Sequence, residues 1–239
     1  MRLDICVDDL PLKTAFRISG YTFTDTPVAV VTLSDGRLQG RGEATGVYYL
    51  DDEPRKMAAT IESHRERIEQ GITREELRGL LPLGGARNAV DCALWDLEAK
   101  RAGEPVWKLA GLERVAPPVT IFTLGADDPA AVAEGAQSCS EARALKLKLD
   151  GELETDIARL KAVRAARPDV WLGVDANEGY TRETLTHLIP HLQEARVLLL
   201  EQPLPRGNNA ALDGLNCPIP IAADESVQGL SEVAPLNAM

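Results

Sequence analysis

The second half of the chain repeats one unit, a short apolar strand followed by a helix. Beyond Pro117 and Pro118, apolar and β-branched runs predict strands, and the stretches between them predict helices. The predicted strands are 119–123, 144–149, 170–174, 197–200 and 219–223, and the predicted helices are 129–138, 152–167, 182–194 and 209–215. Repeated βα units imply a parallel sheet with right-handed crossovers, either doubly wound or a (β/α)-barrel. Both architectures place their chemistry at the carboxyl ends of the strands.

The first half of the chain has its strands first and its helices afterwards. Residues 28–33 and 38–44 predict an antiparallel hairpin, and helical periodicity follows over 53–70 and 86–101. We therefore predict an α/β protein with two domains. An N-terminal α+β domain would comprise residues 1–115, and residues 116–239 would form about the first five βα units of a (β/α)-barrel.

Composition and charge exclude several classes of protein. Hydrophobic residues make up 44% of the chain and charged residues 26%, the balance of a globular protein. The net charge of −11 would repel phosphate, so we expect neither nucleic acid nor a membrane as partner. The chain has no bilayer-length apolar run and an acidic N-terminus, which predict a cytoplasmic location. The four cysteines form no C-x-x-C pair, and we predict buried free thiols.

A charged residue stands at the end of four successive predicted strands. These residues are Lys148, Asp175, Glu201 and Asp224. Since neighbouring parallel strands end at one edge of a sheet, the three carboxylates would repel one another unless a cation lay between them. Oxygen ligands without histidine or thiolate favour Mg²⁺, with Mn²⁺ as the alternative. A single acid after a strand more often caps the next helix, so the repetition in consecutive units is what favours a metal site.

Two lysines, Lys146 and Lys148, stand two residues apart on the second of these strands, so both side chains point to one face. Lysines on a strand more often protect an exposed sheet edge, but apolar strands flank this one on both sides. An ammonium beside a second ammonium and a divalent cation has a lowered pKa, which suits a base near neutral pH. The predicted chemistry is abstraction of an α-proton beside a metal-bound carboxylate, giving a metal-stabilised enediolate.

At these strand ends the sequence resembles the muconate-lactonizing branch of the enolase superfamily. That branch shows K-x-K, D-x-N, E-x-P and D-E-S at successive strand ends, which here are residues 146–148, 175–177, 201–203 and 224–226. The helix 86–100 is similar to the helix that joins the capping domain and the barrel of that family. The resemblance implies that Lys148 is an acid/base, that Lys146 assists electrostatically, and that Asp175, Glu201 and Asp224 hold Mg²⁺.

Within that branch, the segments 11–19 and 40–44 look most like dipeptide epimerases acting on L-Ala-D/L-Glu. The likeness implies a Mg²⁺-dependent isomerase, a homo-oligomer, whose small-molecule partner is a dipeptide or an N-acyl amino acid. Loops near 17–25 and 45–52 would close over the substrate. The residues expected to contact it are Arg17, Tyr48, Thr123 and Asn177.

Two departures from the family pattern bear on substrate and activity. Dipeptide epimerases often have a basic residue after the position of Ser19, whereas Gly20 and Tyr21 follow here, which leaves hydrophobic dipeptides open. The family's two-base reaction also uses a lysine on a sixth strand, and this sequence ends at Met239 after about five βα units. We therefore expect a C-terminally incomplete chain, retaining at most deuterium exchange at one face of the substrate.

Other functions fit the same motifs. N-acylamino-acid racemases, o-succinylbenzoate synthases and muconate cycloisomerases resemble this sequence at the same strand ends. A non-catalytic alternative is a truncated relic that keeps the metal site without a second lysine, or one half of an intertwined oligomer. Substrate panels separate the enzymes from one another, and an intact mass separates a fragment from a complete chain.

Overall fold

The protein, described by a computed structural model over residues 1–18, 20–234 and 236, divides into two units. The first unit comprises residues 1–13 and 24–117, and the second comprises residues 14–23 and 118–239. Outside the described residues lie Ser19, from the predicted loop 17–25, and, from the predicted second domain, Pro235 and residues 237–239. Residues 14–23 therefore belong to the same unit as the strands that end in charged residues.

The first unit is built on an antiparallel sheet with the strand order β1-β2-β3. Its strands are β1 (Arg2–Ile18), β2 (Tyr21–Asp35) and β3 (Leu38–Ala44). Asp35 pairs with Leu38, so the turn consists of Gly36 and Arg37, and Gly36 adopts a φ of 60° that favours glycine. The predicted hairpin is confirmed.

Helices pack on one side of this sheet. They are α1 (Pro54–Ser63), α2 (Arg65–Glu69), α3 (Arg74–Leu80), α4 (Gly85–Ala102) and α5 (Val106–Leu109). The buried face of α4 consists of small and aliphatic residues such as Ala89 and Ala93, and it packs directly on β3. A Cβ atom on Gly42 would lie 2.1 Å from the carbonyl oxygen of Ala89, so only glycine allows this contact. The predicted helix 86–101 is confirmed.

The predicted helical segment 53–70 is confirmed, but it is divided into α1 and α2 by a break at His64. At the break, the hydroxyl of Ser63 donates to the carbonyl oxygen of Thr60 at 2.7 Å, and His64 Nδ1 lies 2.9 Å from the same oxygen. Side chains that bond to a nearby carbonyl in this way compete with the helical backbone. His64 adopts a φ of −112° and a ψ of 11°, which ends the first helix.

The second unit is built on a parallel sheet with the strand order β4-β5-β6-β7-β8. Its strands are β4 (Ile121–Leu124), β5 (Ala144–Lys148), β6 (Trp171–Asp175), β7 (Leu199–Glu201) and β8 (Ile221–Ala222). Its helices are α6 (Pro129–Ser138), α7 (Leu153–Ala166), α8 (Arg182–Glu194) and α9 (Leu230–Val233). Sheet order follows chain order, as in part of a (β/α)-barrel, and the predicted fold class is confirmed. The predicted helix 209–215 is only a 3-10 turn, Asn209–Leu212, since the chain turns at Gly214 with a φ of 66°.

Alternation along β5 decides which side chains face the helices. Leu145 and Leu147 are buried in a core formed with residues of α6, α7 and α8. Lys146 and Lys148 alternate with them and therefore project from the opposite face of the sheet. The two lysines can therefore contact side chains of the neighbouring strands on that face.

The cysteines are free, as predicted, but they are not buried. Cys6 and Cys92 are exposed, and Cys139 and Cys217 are half-buried. Cys92 lies on α4 between the positions that face the sheet, so its side chain points away from the core. Across the described part of the chain, none of the helices combines the length and the apolar character needed to cross a membrane.

Candidate active site

The register of the parallel sheet brings the charged strand ends together. Lys148 pairs with Asp175, and Asp175 pairs with Glu201 on the next strand. Asp224 lies just beyond β8, the neighbour of the Glu201 strand. Carboxylate oxygens of the three acids lie within 4.8 Å of one another. The residues predicted to ligate a metal therefore form one cluster at the carboxyl edge of the sheet.

Both predicted catalytic lysines bond to these carboxylates. Lys146 Nζ lies 3.0 Å from each carboxylate oxygen of Glu201 and 3.5 Å from Asp175 Oδ2. Lys148 Nζ lies 2.5 Å from the same oxygen of Asp175, whose side chain is fully buried. Charge-assisted hydrogen bonds of this kind compensate for the loss of hydration around a buried carboxylate.

The pKa values in this cluster reflect crowding of negative charge. Burial raises the pKa of Glu201, and the charge of Asp175 raises it further, against the opposing ammonium of Lys146. Burial alone would lower the pKa of Lys146, but its hydrogen bond to Glu201 and the two carboxylate charges raise it above the ordinary value. The charges nearest Lys146 are these carboxylates, and the lowered pKa expected beside a divalent cation stays a prediction. Repelling carboxylate oxygens are the donor set that a hard divalent cation neutralises, so the residues present fit such an ion.

A buried glutamine, Gln202, positions the third carboxylate. Its side-chain oxygen accepts from the backbone N–H groups of Asp224 and Ser226 at 3.0 and 3.1 Å. Its amide nitrogen donates to Ser226 Oγ at 2.9 Å and to the carbonyl oxygen of Leu204 at 2.7 Å. Since Gln202 directly follows Glu201, these bonds tie the turn that contains Asp224 to the strand of Glu201. Sequence reasoning missed this role, because Gln202 occupies the variable position of E-x-P.

Asn177, one of the predicted substrate contacts, bonds to Glu225. Its Nδ2 donates to Glu225 Oε1 at 3.0 Å. Burial raises the pKa of Glu225 against the hydrogen bond from Asn177, and the charge of Asp224 adds to the rise. Asn177 Oδ1 and Glu225 Oε2 are buried, and neither has a hydrogen-bond partner among the described residues. Two neighbouring acceptors are thus left without a donor, which costs stability.

Replacing Glu225 by glutamine should therefore stabilise the metal-free protein at neutral pH. The new amide would donate to Asn177 Oδ1 while its oxygen still accepts from Nδ2, for a gain of about 1 kcal/mol. Because the pKa of Glu225 is raised in the folded state, the wild-type protein gains stability as the pH falls through that pKa. The advantage of Glu225→Gln should thus shrink as the pH falls through the raised pKa of Glu225. Urea unfolding in EDTA measures the free energy of unfolding of the wild type and of Glu225→Gln at each pH. A stability advantage of the variant that grows on acidification would contradict this account.

The remaining predicted substrate contacts are placed as follows. Thr123 is exposed on β4 and pairs with Lys146 in the register of β4 and β5. Arg17 is half-exposed on residues 14–23, the end of β1 and the start of β2 that belong to the second unit and are called the hairpin segment below. Its guanidinium pairs with Asp127. Tyr48 belongs to the first unit, in the 3-10 helix Tyr48–Leu50, with its ring edge-on to that of Tyr49. Contact of these residues with a substrate stays a prediction.

Two family models match the chain, one in each half. Residues 2–111 match the mandelate racemase/muconate lactonizing enzyme N-terminal domain, and residues 130–238 match the enolase C-terminal domain-like family. These matched ranges together cover nearly the whole sequence. They agree with the sequence-based resemblance to the muconate-lactonizing branch.

Characterised relatives include two epimerases. The chain is 39% identical over 229 residues to the L-Ala-D/L-Glu epimerase of Escherichia coli, covering 95% of this chain and 71% of that enzyme. It is 30% identical over 254 residues to the L-Ala-D/L-Glu epimerase of Bacteroides thetaiotaomicron, covering 99% of this chain and 64% of that enzyme. At 239 residues the chain is shorter than these relatives.

Solved structures of similar proteins give the same fold. An enolase family member from Agrobacterium tumefaciens, with homology to dipeptide epimerases, superposes with a TM-score of 0.90 at 35% identity, covering 99% of this chain and 72% of that one. The dipeptide epimerase of Enterococcus faecalis, complexed with Mg and L-Leu-L-Tyr, superposes with a TM-score of 0.89 at 26% identity. That comparison covers 98% of this chain and 70% of the other.

Proposed function

This chain belongs to the mandelate racemase/muconate lactonizing enzyme group of the enolase superfamily, and on that premise we propose that it acts as a Mg²⁺-dependent dipeptide epimerase. The observation that supports the proposal most is the cluster at the carboxyl edge of the sheet. There the Nζ atoms of Lys148 and Lys146 lie 2.5 to 3.5 Å from carboxylate oxygens of Asp175 and Glu201, and these two carboxylates cluster with that of Asp224. A base beside carboxylates that can bind a cation is the arrangement that α-proton abstraction requires.

The proposed metal ligands are Asp175, Glu201 and Asp224. An ion held by them would supply positive charge opposite the negative charge that develops on a substrate carboxylate as its α-proton leaves. Mg²⁺ is proposed because the available donors are carboxylate oxygens and because the similar E. faecalis epimerase was solved with Mg. Gln202 serves this set indirectly, by fixing the turn that contains Asp224.

The proposed base is Lys148, which would take the α-proton at Nζ and return a proton to the same face of that carbon, whereas inversion of the α-carbon would need a second acid/base on the opposite face. Its side chain is only 12% exposed, which limits competition from water. The carboxylate of Asp175 holds the lysine side chain in place. Lys146, bonded to Glu201, would add positive charge beside the reacting carboxylate without exchanging a proton itself.

The proposed substrate is a dipeptide, the class named for the relatives in E. coli and E. faecalis. The side chain of Arg17 is already paired with Asp127, so an acidic side chain of the substrate would have to compete with that carboxylate. A hydrophobic second residue would meet no such competition. Among dipeptides, we therefore propose those with an uncharged second residue.

A substrate panel in D₂O tests the proposal. The chain, loaded with Mg²⁺, would be incubated with L-Ala-L-Glu, L-Ala-L-Leu, L-Leu-L-Tyr and the corresponding N-acetyl amino acids, and α-proton signals followed by NMR. We expect loss of the α-proton signal from a dipeptide, fastest for an uncharged second residue. Exchange confined to N-acetyl amino acids would overturn the dipeptide assignment in favour of an N-acyl amino acid racemase.

A further inference from the structure

A buried polar cluster lies behind the carboxyl edge of the sheet, apart from the proposed metal ligands. It consists of Asp156 and Arg159 on α7 and Tyr180 in the loop between β6 and α8. Asp156, Arg159 and Tyr180 are 0%, 5% and 1% exposed, respectively. Buried ion pairs seldom stabilise a fold more than apolar residues of the same volume would. Such a cluster therefore calls for an explanation in terms of what it holds in place.

Asp156 ties α7 to two loops that follow site strands. One carboxylate oxygen accepts from the hydroxyl of Tyr180 at 2.6 Å and from the backbone N–H of Gly151 at 3.0 Å. The other oxygen accepts from Arg159 at 2.8 Å. Gly151 lies three residues after Lys148, and a Cβ atom on it would lie 2.3 Å from the carbonyl oxygen of Gly179, so the two loops touch. Asp156 thus sets the path of the chain directly after the proposed base.

Arg159 extends the cluster to the loop after β4. Its Nε donates to the carbonyl oxygen of Asp127 at 2.7 Å, and one terminal nitrogen donates to that of Ala126 at 2.9 Å. Its other terminal nitrogen pairs with Asp150 at 2.9 Å as well as with Asp156. A planar guanidinium can hold several acceptors in one fixed geometry, which a lysine cannot. One side chain therefore fixes the loops after β4 and β5 together.

The loop after β4 in turn holds the hairpin segment 14–23. The backbone N–H of Ala126 donates to the carbonyl oxygen of Arg17 at 2.9 Å, and the carboxylate of Asp127 pairs with the Arg17 guanidinium. These are the same two residues whose carbonyl oxygens accept from Arg159. Arg159 is thus linked to the hairpin segment through Ala126 and Asp127, and it pairs directly with Asp150 in the loop after Lys148.

We propose that Arg159 is a positioning residue that docks the hairpin segment 14–23 on the loop after β4 and holds the loop that follows Lys148 in the same arrangement. Its consequence for turnover rests on the proposed function, whereas its effect on the hairpin segment does not. Losing the guanidinium frees the carbonyl oxygens of Ala126 and Asp127, which loosens the loop that bonds to Arg17. The segment should then open more often while the sheet stays folded.

Hydrogen–deuterium exchange on the full chain tests this without any substrate. In Arg159→Met, we expect the amide of Ala126 and the peptides covering 14–23 to exchange at least 10-fold faster than in wild type. The matched control is Arg164→Met, one turn further along α7, whose guanidinium donates to the carbonyl oxygens of Ala195, Arg167 and Val170. That variant should leave exchange in 14–23 unchanged. If Arg159→Met does not fold, Arg159→Lys replaces it, since lysine keeps the positive charge but lacks the planar guanidinium that holds several acceptors.

Two results would overturn the proposal: unchanged protection of 14–23 in the Arg159 variant, or an equal rise in the Arg164 control. Kinetics with an active dipeptide add a second readout. Positioning predicts a KM raised by about 10-fold with a smaller change in kcat, and partial recovery in Arg159→Lys. Failure of every dipeptide to react would count against the proposed function alone, because the exchange comparison stands without it.

Discussion

Lys148→Met should reduce α-proton exchange of an active dipeptide by at least about 10³-fold, within the range attributed to a positioned general base. Methionine keeps most of the volume of the lysine side chain but cannot accept a proton. Removal of the ammonium also leaves the buried carboxylate of Asp175 with Lys146 as its remaining cationic neighbour, at 3.5 Å. The measurement is the rate of α-proton loss in D₂O at saturating Mg²⁺.

The matched control for this substitution is Lys161→Met, an exposed lysine on α7 that lies outside the cluster. It should retain wild-type exchange. Lys146→Met should lose less activity than Lys148→Met, because Lys146 contributes charge and no proton. Equal exchange in wild type and in a folded Lys148→Met variant would rule out Lys148 as the base.

Asp175→Asn should abolish specific binding of divalent cations. Asp175 is the buried member of the three-carboxylate set, and an amide oxygen in its place has no full negative charge to offer the ion. In wild type, a cation at 100 times its Kd should stabilise the fold by about 2.7 kcal/mol, because only the folded state assembles the site. The corresponding rise in Tm should disappear in the variant.

Binding of Mn²⁺, followed by the loss of its free EPR signal, measures the same site directly. The control is Asp213→Asn, an exposed acid after the 3-10 turn, which should bind Mn²⁺ as wild type does. Carboxylates must be deprotonated to bind, so affinity should fall as the pH drops, most strongly through Glu201, whose pKa burial and the Asp175 charge raise. Undiminished Mn²⁺ binding by Asp175→Asn would place the metal elsewhere.

The strands of the second unit and their charged ends were predictable because both signals are local. The observed strands lie within two residues of the predicted bounds. Alternation of Leu145, Lys146, Leu147 and Lys148 already places the lysines on one face, and parallel neighbours align their ends. The start of α3 could have been predicted from an equally local signal, because Thr73 and Glu76 form a capping box with the sequence pattern T-x-x-E.

The residues that sequence reasoning missed depend on partners distant in the chain. Gln202 bonds to backbone groups of the turn at Asp224, and Arg159 bonds to carbonyl oxygens in the loop after β4. Neither the spacing nor the type of these side chains points to those partners, because backbone donors and acceptors have no sequence signature. The break at His64 was missed for a related reason, since helical periodicity does not reveal a side chain that bonds to the backbone carbonyl of a residue one turn earlier.

The metal dependence of solvent exchange tests the central claim most directly. The chain would be incubated in D₂O with the most reactive dipeptide of the panel, first with Mg²⁺, then with excess EDTA, then with Mg²⁺ restored. The account predicts loss of the α-proton NMR signal with Mg²⁺, none in EDTA, and recovery on readdition. Exchange that continues undiminished in excess EDTA would contradict it, as would a complete lack of exchange with Mg²⁺ bound.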